Sequence, residues 1–212
     1  MASCIVAITG ASGAVYGVRL TEELLAGGYD VELIISPSGF LILREELGLA
    51  AASADAARSV LEHIDRQRAS RGKDALSGRD GAGRLTFHPH DDLTGAPASG
   101  SALMRAMVVC PCSMGTMARV AAGVSGSLIE RAADCVLKER GTLVLVPRET
   151  PLNIIHLDNM RTLASAGAVI LPAMPAFYHG PESVDDMVDF IVGKTLDALG
   201  VDNSLYKRWK GS

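Results

Sequence analysis

Small and hydroxyl-bearing residues follow three of the predicted strands, where a phosphate-bearing ligand would find hydrogen-bond donors. These positions are Gly10–Gly13, Ser36 and Cys112–Gly115. Each leads into a predicted helix, so backbone N–H groups and the positive end of a helix dipole would face a bound anion. One glycine turn alone is also what any tight strand-to-helix connection needs. Three of them at the carboxyl ends of strands, where open α/β sheets bind ligands, indicate a binding site.

The pattern favours a mononucleotide over a dinucleotide or ATP. Dinucleotide-binding folds usually carry an acidic residue at the end of the second strand, where it holds the ribose hydroxyls. Here that position is Ser36. The complete G-x-G-x-x-G spacing and the G-x-x-x-x-G-K-[ST] phosphate loop are both missing from the sequence.

A set of cationic side chains in the second half of the chain could hold a phosphate. Arg131 and Lys138 are seven residues apart, so they share one face of a helix. Arg148, followed by Glu149, stands after a buried strand, where a guanidinium suits bidentate phosphate binding. For Arg140 we prefer the alternative of a solvated helix face with ordinary ion pairs.

Strand and helix patterns alternate along the chain, which is typical of an α/β protein. Strands are predicted at residues 4–9, 31–35, 106–110, 143–146 and 169–171. Helices are predicted at 14–26, 37–47, 128–139, 153–166 and 183–199, with another beginning at 114. This order predicts a Rossmann-like, doubly wound and mostly parallel sheet in a single domain over residues 1–212. The stretch 66–83, rich in Arg, Asp, Gly and Ser, is predicted to be a mobile surface excursion.

The composition argues against several classes of partner. The 212 residues carry 20 basic and 24 acidic side chains, a net charge of −4, so no basic excess points to nucleic acid or an anionic membrane. No apolar run approaches the ~20 residues that span a bilayer. The four cysteines lie in or beside apolar runs, which indicates buried thiols in a reducing cytoplasm.

Two groups of potential metal ligands are better explained without a metal. Cys110-Pro-Cys112 lacks the C-x-x-C spacing and a second cysteine pair, so we interpret both residues as buried thiols. The stretch 88–92, His-Pro-His-Asp-Asp, is interpreted as a solvated loop. No metal is therefore expected.

Four stretches of the sequence, residues 10–20, 110–123, 128–152 and 172–186, resemble the UbiX family of flavin prenyltransferases. They are also similar to the small subunits of phenolic-acid decarboxylase systems. The most specific motif is ERAADxxLKER followed by LVPRETPL. The resemblance covers nearly the whole chain apart from about residues 51–96. It implies a flavoprotein fold and, by analogy, a homododecamer whose active sites lie at subunit interfaces.

The resemblance implies two sets of ligand-binding residues and a few catalytic ones. For FMN they are Gly10, Ala11, Ser12, Ser36, Cys112, Ser113, Met114, Gly115 and Arg148. For the phosphate of dimethylallyl phosphate they are Ser101, Arg131, Lys138, Arg148, Tyr178 and Lys194, and arginine is the usual residue at position 194. Ser12 and Glu46 would handle protons near flavin N5, with Lys138 and Glu149 as further catalytic residues.

The reaction that the resemblance implies joins a dimethylallyl group to reduced FMN. Flavin N5 attacks C1 of the prenyl group, phosphate leaves, and flavin C6 closes onto C3. The product, prenylated FMN, would pass to a UbiD-type decarboxylase. Two features suggest that the enzyme works as an oligomer: the lone Trp209 in the C-terminal tail, and Arg131, which would come from a neighbouring subunit.

Three alternatives belong to other classes of protein. A flavin-dependent cysteine decarboxylase of the same fold carries P-x-M-N-x-x-M-W, which is replaced here by RETPLNIIHLDNM. A short-chain dehydrogenase also begins TGASG, but the only Y-x-x-x-K pair is Tyr206–Lys210, in the tail. A non-catalytic subunit that carries flavin to an aromatic-acid decarboxylase stays open, although the cationic phosphate residues argue against it.

Overall fold

Strands and helices alternate along residues 3–50, 53–99 and 104–208, the part of the chain that the computed structural model describes. The strands are β1 (Ser3–Ile8), β2 (Asp30–Ile35), β3 (Leu85–His88), β4 (Ala106–Cys112), β5 (Thr142–Pro147) and β6 (Val169–Ile170). The helices are α1 (Ala14–Ala26), α2 (Pro37–Leu47), α3 (Ala56–Ser70), α4 (Met114–Ala121), α5 (Leu128–Lys138), α6 (Ile154–Ser165) and α7 (Val184–Leu199). Among these helices, none is both long enough and apolar enough to cross a membrane.

The six strands form one parallel sheet in the order β3-β2-β1-β4-β5-β6. From β1 the chain builds outward through β2 to β3. It then crosses to the other side of β1 and builds outward through β4 and β5 to β6. The winding direction therefore reverses between β1 and β4, the two central strands. The predicted doubly wound fold is confirmed, and the sheet is parallel throughout.

Helices cover both faces of the sheet, so the strands bury both of their faces. In β1, Cys4, Val6 and Ile8 join the apolar layer under α1, α2, α3 and α7. Ile5 and Ala7 join the opposite layer, under α4, α5 and α6. All five side chains are buried. This two-sided burial explains why the strands occur in the sequence as continuous apolar runs.

Helix α1 approaches the two central strands closely at Gly17. A Cβ placed on Gly17 would lie 2.2 Å from the carbonyl oxygen of Cys110 and 2.9 Å from Cγ1 of Ile8. Since only a hydrogen atom fits there, α1 packs directly against β1 and β4. The first turn of α1 is thereby held at the carboxyl ends of these strands.

The segment 66–83, predicted to be an irregular excursion, begins inside helix α3. Residues 66–70 complete that helix, so the prediction is wrong for this part. The rest is a loop with specific anchors: the Asp65 carboxylate accepts a hydrogen bond from the Leu76 backbone N–H at 2.6 Å, and Leu76 is buried. Arg68 Nε donates to the carbonyl oxygen of Asp74 at 2.7 Å.

A buried carboxylate on α1 ties α3 to the domain. Glu22, 2% exposed, accepts hydrogen bonds from Arg68 at 3.2 Å and Arg71 at 2.6 Å, and it pairs with Arg19 at 3.1 Å. A buried carboxylate is tolerated when it is paired and hydrogen-bonded in this way. This helix was not predicted from the sequence, although Ala56, Val60 and Ile64 recur at four-residue spacing and are buried.

Strand β3 was also not predicted, because it is a short edge strand whose residues are all half-buried. It pairs with β2 from Val31↔Leu85 to Ile34↔His88. His88 Nε2 lies 2.5 Å from Glu32 Oε2. The interpretation of His88 as part of a solvated loop is therefore wrong: it belongs to the sheet and pairs with Glu32.

Replacing Gly17 by alanine should destabilise the protein, since the new methyl group has no room. We expect Gly17→Ala to lower the free energy of unfolding by at least ~1–3 kcal/mol, the usual cost of overpacking. Gly115→Ala is the matched control, because the nearest atom to a Cβ there is Arg119 Nη1 at 3.5 Å, an ordinary contact. The control should be neutral or stabilising by up to ~1 kcal/mol, the helix-propensity gain. Urea unfolding measures both, and equal stability of the two variants would contradict the close approach.

Candidate active site

Three helices begin side by side at the carboxyl edge of the sheet, around the point where the winding reverses. Helix α1 starts after the turn that follows β1, with Gly13 as N-cap at φ 110°. Helices α2 and α4 start at the N-caps Ser36 and Ser113. Since β2, β1 and β4 are neighbours in the sheet, the three helix N-termini lie together. The three turns singled out in the sequence thus lie next to one another along the carboxyl edge of the sheet.

A buried threonine holds the ends of the central strands together. The Thr9 hydroxyl donates to the carbonyl oxygen of Pro111 at 2.7 Å and accepts from the Ser113 backbone N–H at 2.8 Å. Thr9 is fully buried. Sequence reasoning missed this residue, and the available signal was a hydroxyl at the end of an otherwise apolar strand.

Serine side chains cap two of the three helices. Ser36 Oγ accepts a hydrogen bond from the Gly39 backbone N–H at 3.0 Å, and Ser113 Oγ accepts one from Thr116 N–H at 3.3 Å. A hydroxyl that accepts one bond still has a proton to donate, so Ser36 can cap its helix and bind a phosphate oxygen. A Cβ on Gly39 would lie 2.5 Å from the carbonyl oxygen of Ile8, so the start of α2 is held close to the end of β1.

The third helix, α1, is capped by Glu46, a residue of helix α2. This residue lies near the end of α2, and its Oε2 accepts hydrogen bonds from the backbone N–H groups of Gly13 and Ala14, each at 2.9 Å. The carboxylate therefore lies at the positive end of the α1 dipole, one residue from Ser12. The sequence predicted Glu46 and Ser12 to act together near a flavin, and the structure brings them together. The N-terminus of α1 is therefore already bound by a carboxylate of the same chain.

Arg148 joins the end of β5 to the turn after β1. Its Nε donates to the carbonyl oxygen of Ser12 at 3.1 Å. Arg148 as a residue is half-buried, and its guanidinium reaches the same edge as the three helix N-termini. The neighbouring Glu149 accepts a hydrogen bond from the Thr150 backbone N–H at 3.1 Å.

The two cysteines of the Cys-Pro-Cys segment are buried beneath this edge. Burial raises the pKa of the Cys112 thiol to about 12, although the Met117 N–H and the Arg119 charge act in the opposite direction. Burial also raises the pKa of Cys110. Both thiols are therefore protonated at neutral pH and are not nucleophiles. With Met114, which is also buried, Cys112 gives the site an apolar wall.

Arg131 and Lys138 lie near opposite ends of α5, and Lys138 is the one that lies away from this edge. Just after α5 the chain returns to the amino ends of the central strands, where the Thr142 backbone N–H donates to the carbonyl oxygen of Arg105 at 2.7 Å. Lys138, the last residue of α5, is thus at the opposite edge of the sheet from Arg148. At 1.5 Å per residue, Arg131 is about 10 Å further along the helix.

Both cations make only local ion pairs. Arg131 Nη1 lies 3.1 Å from Asp134, and Lys138 Nζ lies 3.5 Å from Glu139. Their side chains are 39% and 49% exposed. Each cation is thus paired with a nearby carboxylate in the sequence, and Lys138 lies at the opposite edge of the sheet from Arg148 and Glu149. Ser101, predicted to complete the phosphate contacts, lies outside the described residues.

Tyr178 belongs to an aromatic cluster, formed by Tyr178, His179, Phe190 and Tyr206. Lys194 contacts this cluster at Tyr206. The Tyr178 ring meets the edge of Phe190 at 5.9 Å between centroids, and Phe190 meets Tyr206 at 5.1 Å. Lys194 Nζ lies 5.6 Å from the centroid of the Tyr206 ring. The two residues predicted to bind phosphate thus lie at the two ends of one cluster.

A Rossmann-like sheet with three capped helix N-termini and an arginine at its switch point is suited to a phosphate-bearing cofactor. The family model described as Flavoprotein matches residues 2–196. The flavin prenyltransferase UbiX of Halalkalibacterium halodurans is 47% identical over 204 residues, covering 96% of this chain and 91% of that relative.

Two solved structures of this kind match nearly the full length. AnUbiX (PadA1), in complex with FMN and dimethylallyl pyrophosphate, has a TM-score of 0.82 at 34% identity and covers 100% of this chain and 98% of its own. A dodecameric FMN-dependent UbiX-like decarboxylase from Escherichia coli O157:H7 has a TM-score of 0.81 at 37% identity, covering 99% and 100%. The chain belongs to the UbiX family of flavin prenyltransferases.

Glu46→Gln tests the capping carboxylate. Loss of the negative charge at the start of α1 should lower the free energy of unfolding by ~0.3–1 kcal/mol, while one amide oxygen still accepts a backbone hydrogen bond. FMN affinity, measured by calorimetry, should change little, because the backbone turns and Ser36 stay in place. Glu45→Gln, an exposed neighbour on the same helix, should leave both quantities unchanged. A loss of FMN binding in Glu46→Gln alone would contradict this assignment.

Proposed function

We propose that this protein is a flavin prenyltransferase that transfers the dimethylallyl group of dimethylallyl phosphate to reduced FMN. The observation that carries the proposal is the contact of Arg148 with the turn after β1, at an edge formed by three helix N-termini. That set of donors fits a ligand with one phosphate and a flat polar ring. When bound, reduced FMN supplies N5 and C6, which form the bonds to the prenyl group.

The residues of the edge divide into two roles in this proposal. The turn Gly10–Ser12 and the Ser36 hydroxyl hold the phosphate of FMN, since the start of α1 itself is taken by Glu46. Ser113, Met114 and Gly115 border the ring, with the buried Cys112 below them and Arg148 at the rim. The neutral thiol of Cys112 adds no charge to compete with the flavin.

Ser12 and Glu46 are the proposed proton carriers. Their closeness supports this role: the Glu46 carboxylate bonds the N–H of Gly13, the residue after Ser12. The Glu46→Gln variant should therefore bind FMN and yet transfer the prenyl group slowly. Glu149, next to Arg148, is proposed to orient Lys138 of another subunit.

The departing phosphate needs more positive charge than one chain supplies at this edge. We propose that Arg131 and Lys138 come from a neighbouring subunit of a homo-oligomer, where they join Arg148, Tyr178 and Lys194. Exposed ion pairs such as those of Arg131 and Lys138 are worth only ~0–1 kcal/mol, so a phosphate can replace them at little cost. Fixed cations then stabilise the charge that develops on the leaving group. Ser101 is proposed as a further phosphate contact.

Exposed apolar residues support an oligomer. Ile154 and Ile155 at the start of α6 are 69% and 65% exposed, and Met174 and Phe177 after β6 are 62% and 69% exposed. Side chains of this size are well suited to a buried subunit interface. The dodecameric state of the Escherichia coli relative is the proposed state here. Trp209, expected to dock on this chain or a neighbour, lies outside the described residues.

The product would be prenylated FMN, and the proposed recipient is a UbiD-type decarboxylase. The proposed location is the cytoplasm, where reduced flavin and reduced thiols persist. The four cysteines, all free and buried, are compatible with such a compartment.

Incubation with reduced FMN and dimethylallyl phosphate tests the proposed reaction. We expect a flavin that is heavier by one dimethylallyl unit, detected by mass spectrometry, together with free phosphate. Oxidised FMN is the control and should give no product, because its N5 is not a nucleophile. Tight binding of FMN with no change in its mass would contradict the proposal and favour a flavin carrier.

Mixed oligomers test whether the site is shared between subunits. Arg131→Ala and Arg148→Ala should each lose most activity, because each removes a different half of every site. Co-expression of the two should restore activity in those sites that combine an intact half from each subunit. Arg161→Ala, which removes an exposed arginine with a similar pairing three residues away on α6, should keep wild-type activity. A fully active monomer in light scattering would contradict a shared site.

A further inference from the structure

His179 has two buried ring nitrogens that make no hydrogen bond. Neither Nδ1 nor Nε2 has a partner within the described residues 3–50, 53–99 and 104–208. The imidazole stacks on the Phe190 ring, with centroids 5.1 Å apart and an interplanar angle of 8°. It also meets the Tyr178 ring edge-on at 5.8 Å. The ring is thus held by aromatic contacts and makes no hydrogen bond within the described residues.

This arrangement costs stability. A buried polar group without a partner has lost its hydrogen bonds to water and gained none in return. A phenylalanine ring of similar shape would make the same stacking contact without that loss. Unsatisfied buried polar groups are uncommon in native proteins, and each one calls for an explanation. The explanation that fits the surroundings is a partner supplied by a ligand.

The surroundings indicate which kind of ligand. His179 lies between Tyr178 and Phe190, in the same cluster that leads through Tyr206 to Lys194. Tyr178 and Lys194 are the two residues of this cluster proposed to bind the phosphate. An anion that accepts a hydrogen bond from this imidazole would lie beside the Tyr178 phenol, with the Lys194 ammonium group at the other end of the cluster.

The nearest acidic side chain is already engaged. Asp186, at the start of α7, accepts hydrogen bonds from the backbone N–H groups of Glu182 and Ser183, each at 2.9 Å. It therefore caps its own helix, and its interaction with the His179 ring is electrostatic, without a hydrogen bond. The turn that carries His179 is loosely packed, since Phe177 and Tyr178 are 69% and 48% exposed and Gly180 has open space around it. Such a turn can shift to present the ring to a ligand.

We propose that His179 is a substrate-binding residue, whose imidazole N–H donates a hydrogen bond to the phosphate of dimethylallyl phosphate. The proposal rests on the prenyl transfer proposed above and adds a residue to its phosphate site. In this role His179 binds the phosphate without transferring a proton, so it affects the affinity for the phosphate substrate and leaves FMN binding unchanged.

Two substitutions separate the nitrogen atoms from the ring. His179→Phe keeps the stacking and removes the N–H, so we expect a higher melting temperature without ligand. Its KM for dimethylallyl phosphate should rise at least about tenfold, the scale of one hydrogen bond to a charged group. Its FMN affinity should be unchanged. His179→Asn keeps a donor and loses the stacking, so its KM should lie closer to the wild-type value despite a lower melting temperature.

Three outcomes would overturn the proposal. The first is a wild-type KM in His179→Phe. The second is an equal rise of KM in both variants, which would mean that the stacking matters and the N–H does not. The third is dissociation of the His179→Phe oligomer with an unchanged KM, which would mean that a second subunit supplies the partner.

The role of His179 can be tested separately from the proposed reaction. If the wild-type protein transfers no prenyl group, the binding claim is tested with inorganic phosphate alone. Phosphate should then raise the melting temperature of the wild-type protein more than that of His179→Phe. Equal shifts would overturn the role of His179 independently of the reaction.

Discussion

The candidate site depends on the hydrogen-bonded link between the ends of the two central strands, β1 and β4, which we call the Thr9 joint. The buried hydroxyl of Thr9 donates to Pro111 and accepts from Ser113, so it links the end of β1 to the end of β4 at the point where the winding reverses. Two of the three helices at the site, α1 and α4, start from these two strand ends. Because Gly17 lets α1 lie against both strands, the positions of the helix N-termini follow from this joint. The positive edge of the sheet is thus mainly a consequence of backbone packing.

The charged groups have different partners at the site and in the rest of the domain. At the site, backbone N–H groups, serine hydroxyls and Arg148 supply donors, and Glu46 is the anion that occupies one helix terminus. On the far side of α1, Glu22 is surrounded by three arginines and serves to attach α3. Matched buried charges specify a packing arrangement, whereas an excess of donors at an open edge leaves capacity for an anionic ligand.

The cations proposed to hold the leaving phosphate are spread over the single chain, and this is the physical reason for proposing a shared site. Arg148 lies at the carboxyl edge, Lys138 at the opposite edge, and Lys194 over the ring of Tyr206. Six or seven residues of strand, about 20 Å, separate the two edges. In the proposed function, a neighbouring copy of the chain brings the α5 cations to Arg148. Within the described residues the His179 ring nitrogens also lack a hydrogen-bond partner, and we propose that the phosphate substrate supplies it.

The sequence by itself determined the elements that have strong local signals. Helix α1 was predicted over its observed residues, and the strands β1, β2, β4 and β5 were found because burial on both faces produces apolar runs. The three turns and Arg148 followed from strand ends and from the family motif. Helix α3 was missed although Ala56, Val60 and Ile64 form a local apolar stripe, whereas strand β3 gives little local signal because it is a short edge strand paired with the distant Glu32. Only the tertiary structure decided the Thr9 joint, the capping of α1 by Glu46 and the separation of Lys138 from Arg148, because each depends on contacts between residues remote along the chain.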